Sequence, residues 1–510
     1  MIVILNFGSQ YLHLIARRVR ELGVYAEILP HNVSSKQLKK LKPDGIIFSG
    51  SPASVYGKGS PQVKKEIFKM SIPILGICYG HQLIADFFNI KIEPGKVGRF
   101  GRYFIKVTKQ GKIFQGIKGK QQTWFSNYDI VSKLPKGFIR TATSPSCPIA
   151  AMENTNKKMY SVQFHPEVVH TKRGKDILAN FVFGVCKAKK TWKVKSLSRD
   201  LIEQIKIQVG DNKILLGSSG GVDSTVVAAL IHKAVGDNLY CVFVDHGLMR
   251  KNETVEIRKI YKKLNIKNFK VVNARNLFLN RLKGVTEPEK KRKIIGHTFI
   301  KVFETEGKKI SKKEHIKYFA QGTIYPDRIE SAASSNKADK IKSHHNLTLP
   351  EKLHFKIIEP LQDLYKDEVR ELGLDLGLDK DVIYRHPFPG PGLAVRILGN
   401  ITSQKIKILQ AVDEIYMKEL KKSGDYSNIT QAFAALLPAK SVGVMGDART
   451  YKYIVSLRAV TTEDFMTADW YKFKYETLIK ISSKIVNEVK EVNRVLYDIT
   501  QKPPATVEYE

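Results

Sequence analysis

The sequence predicts an α/β protein with two doubly wound parallel-sheet domains and a small α+β domain at the C-terminal end. Short all-apolar segments such as Ile2–Leu5 and Ile214–Leu216 end in glycine-containing turns, and segments with helical spacing such as Tyr11–Leu22 follow them. All-apolar strands are typical of parallel sheets, because helices cover both faces. A proline- and glycine-rich stretch at 385–392 marks a further boundary. We therefore expect domains at 1–188, 189–385 and 386–510.

The composition is strongly basic, with 85 Lys and Arg residues against 49 Asp and Glu residues and a formal net charge of +36. Such a charge is typical of nucleic-acid binders. However, the lysines are spread along the whole chain, and no single basic block is interleaved with aromatic residues. We interpret the charge as a general lysine richness of the whole sequence, whose positive field also attracts phosphate-bearing small substrates. We expect no nucleic-acid partner.

The cysteines and apolar segments indicate the compartment. The four cysteines are widely spaced, so we expect neither a zinc site nor a disulfide framework. The first six residues lack the basic region of a signal peptide. No apolar run approaches the ~20 residues that span a membrane. We therefore expect a soluble cytoplasmic enzyme without a membrane partner.

The first domain contains a candidate nucleophile. Strands are predicted at Gly45–Ser49 and Ile72–Ile77, and Gly76-Ile-Cys78-Tyr-Gly80 has the form of a nucleophile elbow with Cys in the Ser position. Phe164-His165-Pro-Glu167 supplies a general base and a carboxylate to orient it. Each feature alone would be read as a buried thiol or a loop histidine, but together they predict a catalytic triad.

Residues 1–188 resemble a class I glutamine amidotransferase domain. The resemblance implies Cys78 as nucleophile, His165 as base and Glu167 as the residue that orients it. It also implies a glutamine site near Gln82 and an oxyanion hole formed by the backbone N–H groups of Tyr79 and of the Gly50–Ser51 turn. Two departures from the family pattern are Asn6, where Asp is usual, and Ser126-Asn-Tyr-Asp129, where Ser-His-Gly-Asp is usual.

After a lysine-rich linker at 187–195, Lys213–Thr225 has the layout of strand, glycine-rich loop and helix. This layout presents backbone N–H groups and the positive end of a helix dipole to phosphate. It is not a Walker A loop, because no Gly-Lys-Ser/Thr closes it. The loop is identical to that of the N-type ATP pyrophosphatases. The resemblance implies that ATP and the departing pyrophosphate contact Ser219, Gly220, Gly221, Val222, Asp223, Ser224 and Thr225. Asp223 is in addition a candidate Mg²⁺ ligand.

The segments that follow are predicted in order. Leu239–Asp245 is a second strand of this domain, and a charged, solvent-exposed helix begins within 286–296. Gln321–Asp327 and Ile329–Ser331 are expected to form a strand end and a turn. Lys342-Ser-His-His-Asn346 lacks a third metal ligand nearby, so we favour a substrate-facing lid over a metal site.

The C-terminal segment alternates between helical and extended patterns. Helices are predicted at 402–421 and 478–489, and strands at 441–447, 454–460 and 492–499. The tail from Lys502 to Glu508 has two interpretations: a frayed terminus, or a segment that returns to a binding site.

Together, Val244-Asp-His-Gly, Ala320-Gln-Gly-Thr-Ile-Tyr-Pro-Asp and Lys342-Ser-His-His-Asn resemble the glutamine-hydrolysing GMP synthase family over nearly the whole chain. The family resemblance implies amination of XMP to GMP, the last step of de novo guanine nucleotide synthesis. The resemblance also implies that the reaction requires ATP and Mg²⁺ but no prosthetic group. It further implies that the protein forms a homodimer through residues 386–510. One departure is Asn346-Leu-Thr-Leu-Pro350 in the lid. The XMP contacts implied are Arg250, Lys342, Gln431, Lys502 and Glu508.

Two other classes share part of this pattern. Glutamine-dependent NAD synthesis would use the same ATP chemistry, but that family has a different amidase domain and does not need residues 386–510. A tRNA-modifying pyrophosphatase would use the basic charge, but such enzymes carry cysteines near the loop, and here the nearest, Cys241, lies inside a predicted strand.

Overall fold

The structure is a computed structural model that describes residues 1–95, 97–334, 355–445, 448–462 and 467–510. Contacts divide the chain into two compact units, Met1–Lys193 and Val194–Glu510. The finer boundaries expected at 188–189 and 385–386 stay predictions.

The first unit has these strands: β1 (Ile2–Asn6), β2 (Ala26–Pro30), β3 (Gly45–Phe48), β4 (Ile74–Ile77), β5 (Ile92–Glu93), β6 (Arg99–Val107), β7 (Gly119–Asn127), β8 (Ile130–Val131), β9 (Ile139–Ser144), β10 (Cys147–Asn154) and β11 (Met159–Val162). Its helices are α1 (Leu12–Glu21), α2 (Ser35–Leu41), α3 (Lys65–Phe68), α4 (Tyr79–Phe87) and α5 (Gly174–Ala179). A 3₁₀ turn lies at Lys112–Phe114, and a π-helical segment at Asn180–Val185 extends α5.

The main sheet of this unit has the order β2-β1-β3-β4-β11-β10-β9-β6-β7. The first five strands are parallel, and the remaining neighbours pair antiparallel. The apolar runs predicted as strands lie in the parallel half, where helices cover them and Ile2–Leu5 is fully buried. The sequence analysis missed β2 and the antiparallel extension, whose strands carry mixed rather than all-apolar residues.

The second unit has these strands: β12 (Ile214–Ser218), β13 (Leu239–Asp245), β14 (Phe269–Asn273), β15 (Tyr318–Ala320), β16 (Lys356–Ile358), β17 (Gln431–Met445), β18 (Ala448–Thr461), β19 (Asp469–Trp470) and β20 (Val492–Tyr497). Its helices are α6 (Val194–Val209), α7 (Val222–Val235), α8 (Glu253–Lys263), α9 (Arg275–Leu282), α10 (Pro288–Glu314), α11 (Tyr325–Ser334), α12 (Lys366–Asp375), α13 (Lys380–Ile383), α14 (Ser403–Ser423) and α15 (Tyr475–Glu488). Three 3₁₀ turns lie at Gly236–Asn238, Gly392–Arg396 and Asp425–Asn428.

The described residues of this unit form two sheets. One is entirely parallel, with the order β14-β13-β12-β15-β16, so the strand order reverses between β12 and β15. Ligands of open α/β sheets bind at such a reversal, beyond the carboxyl ends of the strands. In the other sheet, the long hairpin of β17 and β18 pairs with β19 and β20. Residues of α14 and α15 share its core, which confirms the predicted α+β segment.

The structure corrects three sequence-based expectations. The basic run at 290–293 is not wholly solvent-exposed: the Lys291 side chain is fully buried, and its Nζ donates to the backbone oxygens of Ala394 (3.3 Å) and Ile397 (2.8 Å) and pairs with the Glu510 carboxylate. Ile329–Ser331 lies inside α11, because the turn ends before Tyr325. Finally, β17 begins ten residues before the predicted strand at 441.

Within the described residues, the helices are all too short or too polar to cross a membrane.

Candidate active sites

The predicted elbow has the expected backbone geometry. Cys78 lies between β4 and α4 with φ 54° and ψ −101°, a positive-φ conformation that non-glycine residues rarely adopt. A Cβ at Gly76 would lie 2.4 Å from the Gly80 backbone oxygen, and a Cβ at Gly80 would lie 2.6 Å from the Phe48 backbone oxygen. Both glycines are therefore required by the close packing of the turn, which presents the Cys78 sulfur at the end of the sheet.

The proposed base and its orienting carboxylate are directly bonded. His165 Nδ1 lies 2.7 Å from Glu167 Oε1, and both side chains are buried. Burial by itself would lower the pKa of His165, but the Glu167 carboxylate and the Cys78 sulfur outweigh it and hold that pKa well above its usual range. The Cys78 sulfur is near enough to contribute to the raised pKa of His165, so the three predicted residues lie together at one site.

Strand order explains why residues far apart in the chain meet here. Cys78, His165 and Gly50 follow β4, β11 and β3, which are adjacent parallel strands. A Cβ added to Gly50 would lie 3.3 Å from His165 Cε1 and 3.7 Å from Cys78 Cβ. The Gly50 turn, predicted to contribute to an oxyanion hole with Tyr79, therefore lies against the nucleophile and the base.

The backbone of His165 is fixed by residues that the sequence analysis did not identify. Its N–H donates to the Trp124 backbone oxygen (2.8 Å), and its carbonyl accepts from Thr171 Oγ1 (2.6 Å). The Tyr11 ring lies edge-on to the imidazole, with the ring centroids 4.8 Å apart. These contacts join segments distant in sequence, so no local pattern indicated them.

The departures and Gln82 have structural explanations. Asn6 Oδ1 accepts from the Gly8 N–H (2.8 Å), as the usual aspartate could. Asn127 Nδ2 and Gln82 Nε2 both donate to the Asp129 backbone oxygen, at 2.7 and 3.1 Å. Gln82 is 3% exposed, so its amide supports the loop after β7. Its predicted proximity to glutamine stays a prediction.

The glycine-rich loop lies between β12 and α7. Gly220 has φ 73°, and a Cβ there would lie 2.3 Å from Ile257 Cδ1. Ser219 Oγ accepts from the Gly221 N–H at 3.2 Å and lies 3.2 Å from Ser224 Oγ. Thr225 Oγ1 donates to the Gly221 oxygen at 2.8 Å. The predicted phosphate-binding residues therefore surround the N-terminus of α7, where orphan backbone N–H groups favour anions.

Two cations that the sequence analysis did not identify adjoin this loop. Lys366 Nζ lies 3.9 Å from Asp223 Oδ2, and Arg385 Nη1 donates to the Gly220 oxygen at 3.0 Å. Arg385 is also paired with the Glu253 carboxylate. Asp223 Oδ1 is buried and has no hydrogen-bond partner among the described residues. A buried, unpaired carboxylate oxygen favours an additional cation at this position.

The residues implied for XMP are partly brought together. Gln431 Nε2 donates to Glu508 Oε1 (2.6 Å), and Arg396 donates to both Glu508 oxygens (2.8 and 3.0 Å). Arg396 and Arg250 each lie over the Phe388 ring, 5.1 and 4.9 Å from its centroid. Arg250 and Arg396 therefore contact the same aromatic ring, and Arg396 binds Glu508.

The tail is ordered rather than frayed. Buried Arg458 donates to the backbone oxygens of Val507 (2.9 Å), Thr506 (2.9 Å) and Thr500 (3.1 Å). The backbone of Lys502 pairs with Ala468. The remaining predicted contact, Lys342, and the 346–350 departure lie outside the described residues.

We expect the second unit to lose stability as the pH falls, in part through His386. Burial lowers the pKa of His386 to about 4, although the hydrogen bond of Nε2 to the Tyr426 backbone oxygen (2.9 Å) opposes this shift. Nδ1 accepts from the Ala432 N–H (3.2 Å), which only the neutral ring can do. The unfolded chain binds a proton near pH 6.5 and the folded chain does not. Stability is therefore complete above pH 6.5 and falls between about pH 6.5 and 4, by at most about 1.4 kcal/mol per pH unit for this group.

Urea unfolding between pH 7 and pH 4.5, monitored by far-ultraviolet circular dichroism, tests this expectation. The His386→Asn variant should be less stable at pH 7 but should lose less stability on acidification. An equal loss in both proteins would contradict it.

Comparisons with known proteins cover the whole chain. Family models match at residues 3–185 (glutamine amidotransferase class-I), 194–292 (NAD synthase) and 418–509 (GMP synthase C terminal domain). The GMP synthase (glutamine-hydrolyzing) of Carboxydothermus hydrogenoformans is 52% identical over 510 residues, which are 100% of this chain and 99% of that protein. The protein of the same name from Acetivibrio thermocellus is 51% identical over 512 residues, with the same coverage.

Proposed function

Because the chain belongs to the family of glutamine-hydrolysing GMP synthases, we propose that it aminates XMP to GMP with glutamine as nitrogen donor. ATP is cleaved to AMP and pyrophosphate through an adenyl-XMP intermediate. The observation that carries this proposal is the presence, in one chain, of a Cys78 elbow beside a hydrogen-bonded His165–Glu167 pair and of a glycine-rich loop at the reversal of a second sheet.

At the first site, His165 takes the thiol proton and the Cys78 sulfur attacks the side-chain carbonyl carbon of glutamine. The oxyanion is held by the Tyr79 N–H and the Gly50–Ser51 turn. His165 returns its proton to the leaving nitrogen, ammonia departs, and water hydrolyses the glutamyl thioester. Glu167 stabilises the imidazolium throughout, which accounts for the raised pKa of His165.

At the second site, the loop 219–225 binds the β- and γ-phosphates of ATP. The O2 atom of XMP attacks the α-phosphorus, and pyrophosphate leaves. Ammonia then attacks C2 of adenyl-XMP and displaces AMP, which is a far better leaving group than the original oxygen.

The residues near the loop fit Mg²⁺. Within the described part of the chain, no group of three or more His, Cys, Asp and Glu could hold a metal by itself. Mg²⁺ at phosphate sites generally uses one or two carboxylates together with substrate oxygens. Asp223, with its unpaired buried oxygen, is therefore the ligand we propose. Bound there, Mg²⁺ would neutralise charge on the departing pyrophosphate.

A substrate panel tests the overall proposal. XMP should support glutamine-dependent release of AMP, whereas deamido-NAD and tRNA should not. The NAD synthase family model matches residues 194–292, the region that contains the glycine-rich loop. Turnover of deamido-NAD in place of XMP would overturn the assignment. All four cysteines are free, which supports the proposal that the enzyme works in the cytoplasm.

We expect Lys502→Ala to raise the KM for XMP by about tenfold or more, because one charged contact contributes roughly 1.5–3 kcal/mol. The pairing of residue 502 with Ala468 uses backbone atoms, so the substitution leaves that pairing in place. Initial rates at varied XMP concentrations give the KM. Lys490→Ala, at a lysine between α15 and β20, is the control. An unchanged KM in Lys502→Ala would show that the tail is not part of the XMP site.

The second unit also supports the proposal of a homodimer. Val442, Val444 and Tyr451 share one face of the β17–β18 hairpin and are 61%, 74% and 66% exposed. Exposed apolar clusters of this kind are typical of interfaces. We propose a second copy of the chain as the occupant of this face.

Light scattering coupled to size-exclusion chromatography tests the dimer. We expect Val444→Glu to produce monomers at concentrations where the parent protein is dimeric. Val255→Glu, at another exposed valine, which lies on α8, should leave the oligomeric state unchanged. A dimeric Val444→Glu protein would place the interface elsewhere.

A further inference from the structure

One buried amide near the nucleophile has no part in the mechanism described so far. Gln163 follows β11, is fully buried, and precedes His165 by two residues. Its Nε2 lies 3.8 Å from Cys78 Sγ, within hydrogen-bonding distance for sulfur. The sulfur also lies 3.8 Å from the Ser126 backbone oxygen. The sulfur therefore has an acceptor suited to its thiol form and a donor suited to its thiolate form.

The orientation of the Gln163 amide follows from its neighbours. The Asp129 backbone oxygen can only accept, so Gln82 must turn its NH₂ group toward it (3.1 Å). The second proton of the same NH₂ group faces Gln163 Oε1 at 3.4 Å. Gln163 must then direct its own NH₂ group at the sulfur. This relay fixes a donor at Cys78 without depending on an arbitrary choice between amide oxygen and nitrogen.

We propose that Gln163 is a further catalytic residue of the glutaminase site: its Nε2–H donates to the Cys78 sulfur and stabilises the thiolate. When the thiol proton moves to His165, the contact with the Ser126 oxygen loses its proton and the contact with Gln163 becomes charge-assisted. Hydrogen bonds to ionised groups are about twice as strong as neutral ones. Gln163 therefore shifts the thiol–thiolate equilibrium toward the reactive form.

The relay gives a function to two other residues. Gln82 acts as a positioning residue, because it holds the Gln163 amide in the donating orientation. Asn127, one of the departures from the usual family sequence, donates to the same Asp129 oxygen as Gln82. The loop after β7 is thus linked to the nucleophile through two successive amides.

Alkylation of Cys78 by iodoacetamide measures thiolate formation directly. The thiolate displaces iodide and a thioether forms, so the rate follows the thiolate fraction. The other three cysteines are buried, and burial raises the pKa of Cys147 to about 12 and raises the pKa values of Cys186 and Cys241 as well. Mass spectrometry of the peptide that contains Cys78 then gives the rate as a function of pH.

We expect Gln163→Met, which keeps the length of the side chain but removes the donor, to move the midpoint of the pH–rate profile upward by about one unit. The rate at neutral pH should fall about tenfold, which corresponds to one such unit. Gln121→Met is the matched control, because the Gln121 amide donates to the Lys118 oxygen; its profile should be unchanged. An unshifted midpoint in Gln163→Met would show that Gln163 only fills space.

A second variant covers the case in which Gln163→Met does not fold. Gln163→Glu conserves the shape of the side chain, and its carboxylate should move the midpoint further upward than loss of the donor. A midpoint equal to that of the parent protein would overturn the proposal. This inference rests on the proposed nucleophilic role of Cys78, and failure of that role has a different outcome: Cys78 would not be alkylated preferentially in the parent protein.

Discussion

Cys78→Ala should abolish glutamine-dependent GMP formation, by roughly 10⁴-fold or more, and leave ammonia-dependent formation intact. All four cysteines are buried, and of these Cys78 is the one that occupies an elbow. No other thiol can therefore replace the nucleophile. The second site requires only ammonia, so it should accept ammonia from solution when ammonium is supplied at alkaline pH.

The measurement is AMP released per XMP consumed with each nitrogen donor. Cys147→Ala is the matched control, because it removes a buried thiol that lies outside the elbow and donates to the nearby Ile149 oxygen. A Cys78→Ala enzyme that uses glutamine at the parental rate would contradict the triad. If a folded Cys78→Ala enzyme fails to use ammonium, the two sites are not separable.

Asp223→Ala should abolish GMP formation with both nitrogen donors. Asp223 lies in the first turn of α7, its Oδ2 lies 3.9 Å from Lys366 Nζ, and its Oδ1 is buried without a partner among the described residues. Loss of this carboxylate removes the proposed Mg²⁺ ligand and leaves the charge of the departing pyrophosphate uncompensated. We expect a decrease of roughly 10²–10³-fold, the usual effect of one electrostatic contact in a transition state.

Ser224→Ala should act in the same direction, because Ser224 Oγ lies 3.2 Å from Ser219 Oγ and donates to the Gly221 oxygen. Pyrophosphate release with XMP and either donor is the assay, and alkylation of Cys78 by iodoacetamide shows that the first unit is unaffected. Asp237→Ala is the control, since Asp237 pairs with exposed Lys267 at the opposite end of α7. Normal turnover by Asp223→Ala with ammonium would exclude this carboxylate from the second site.

The sequence by itself determined the features that depend on neighbouring residues. The elbow around Cys78 was predictable because Gly76 and Gly80 lie within two residues of the nucleophile, and both are needed by its backbone. The loop around Ser219 was predictable for the same reason. Parallel strands such as β1 and β12 were predictable because burial on both faces requires an unbroken apolar run.

Only the tertiary structure decided which distant residues meet. Gln163 reaches Cys78 because β11 pairs with β4, although 85 positions separate the two residues. Lys291 reads as part of an exposed basic run, yet it is buried because backbone oxygens and Glu510, 219 positions away, bind its ammonium group. Arg385 and Lys366 adjoin the phosphate loop without any local motif. A local sequence pattern reflects the backbone conformation of a segment and which of its sides are buried. Polar pairs between distant residues depend instead on the order of strands in the sheet and on where the chain folds back, which no local pattern encodes.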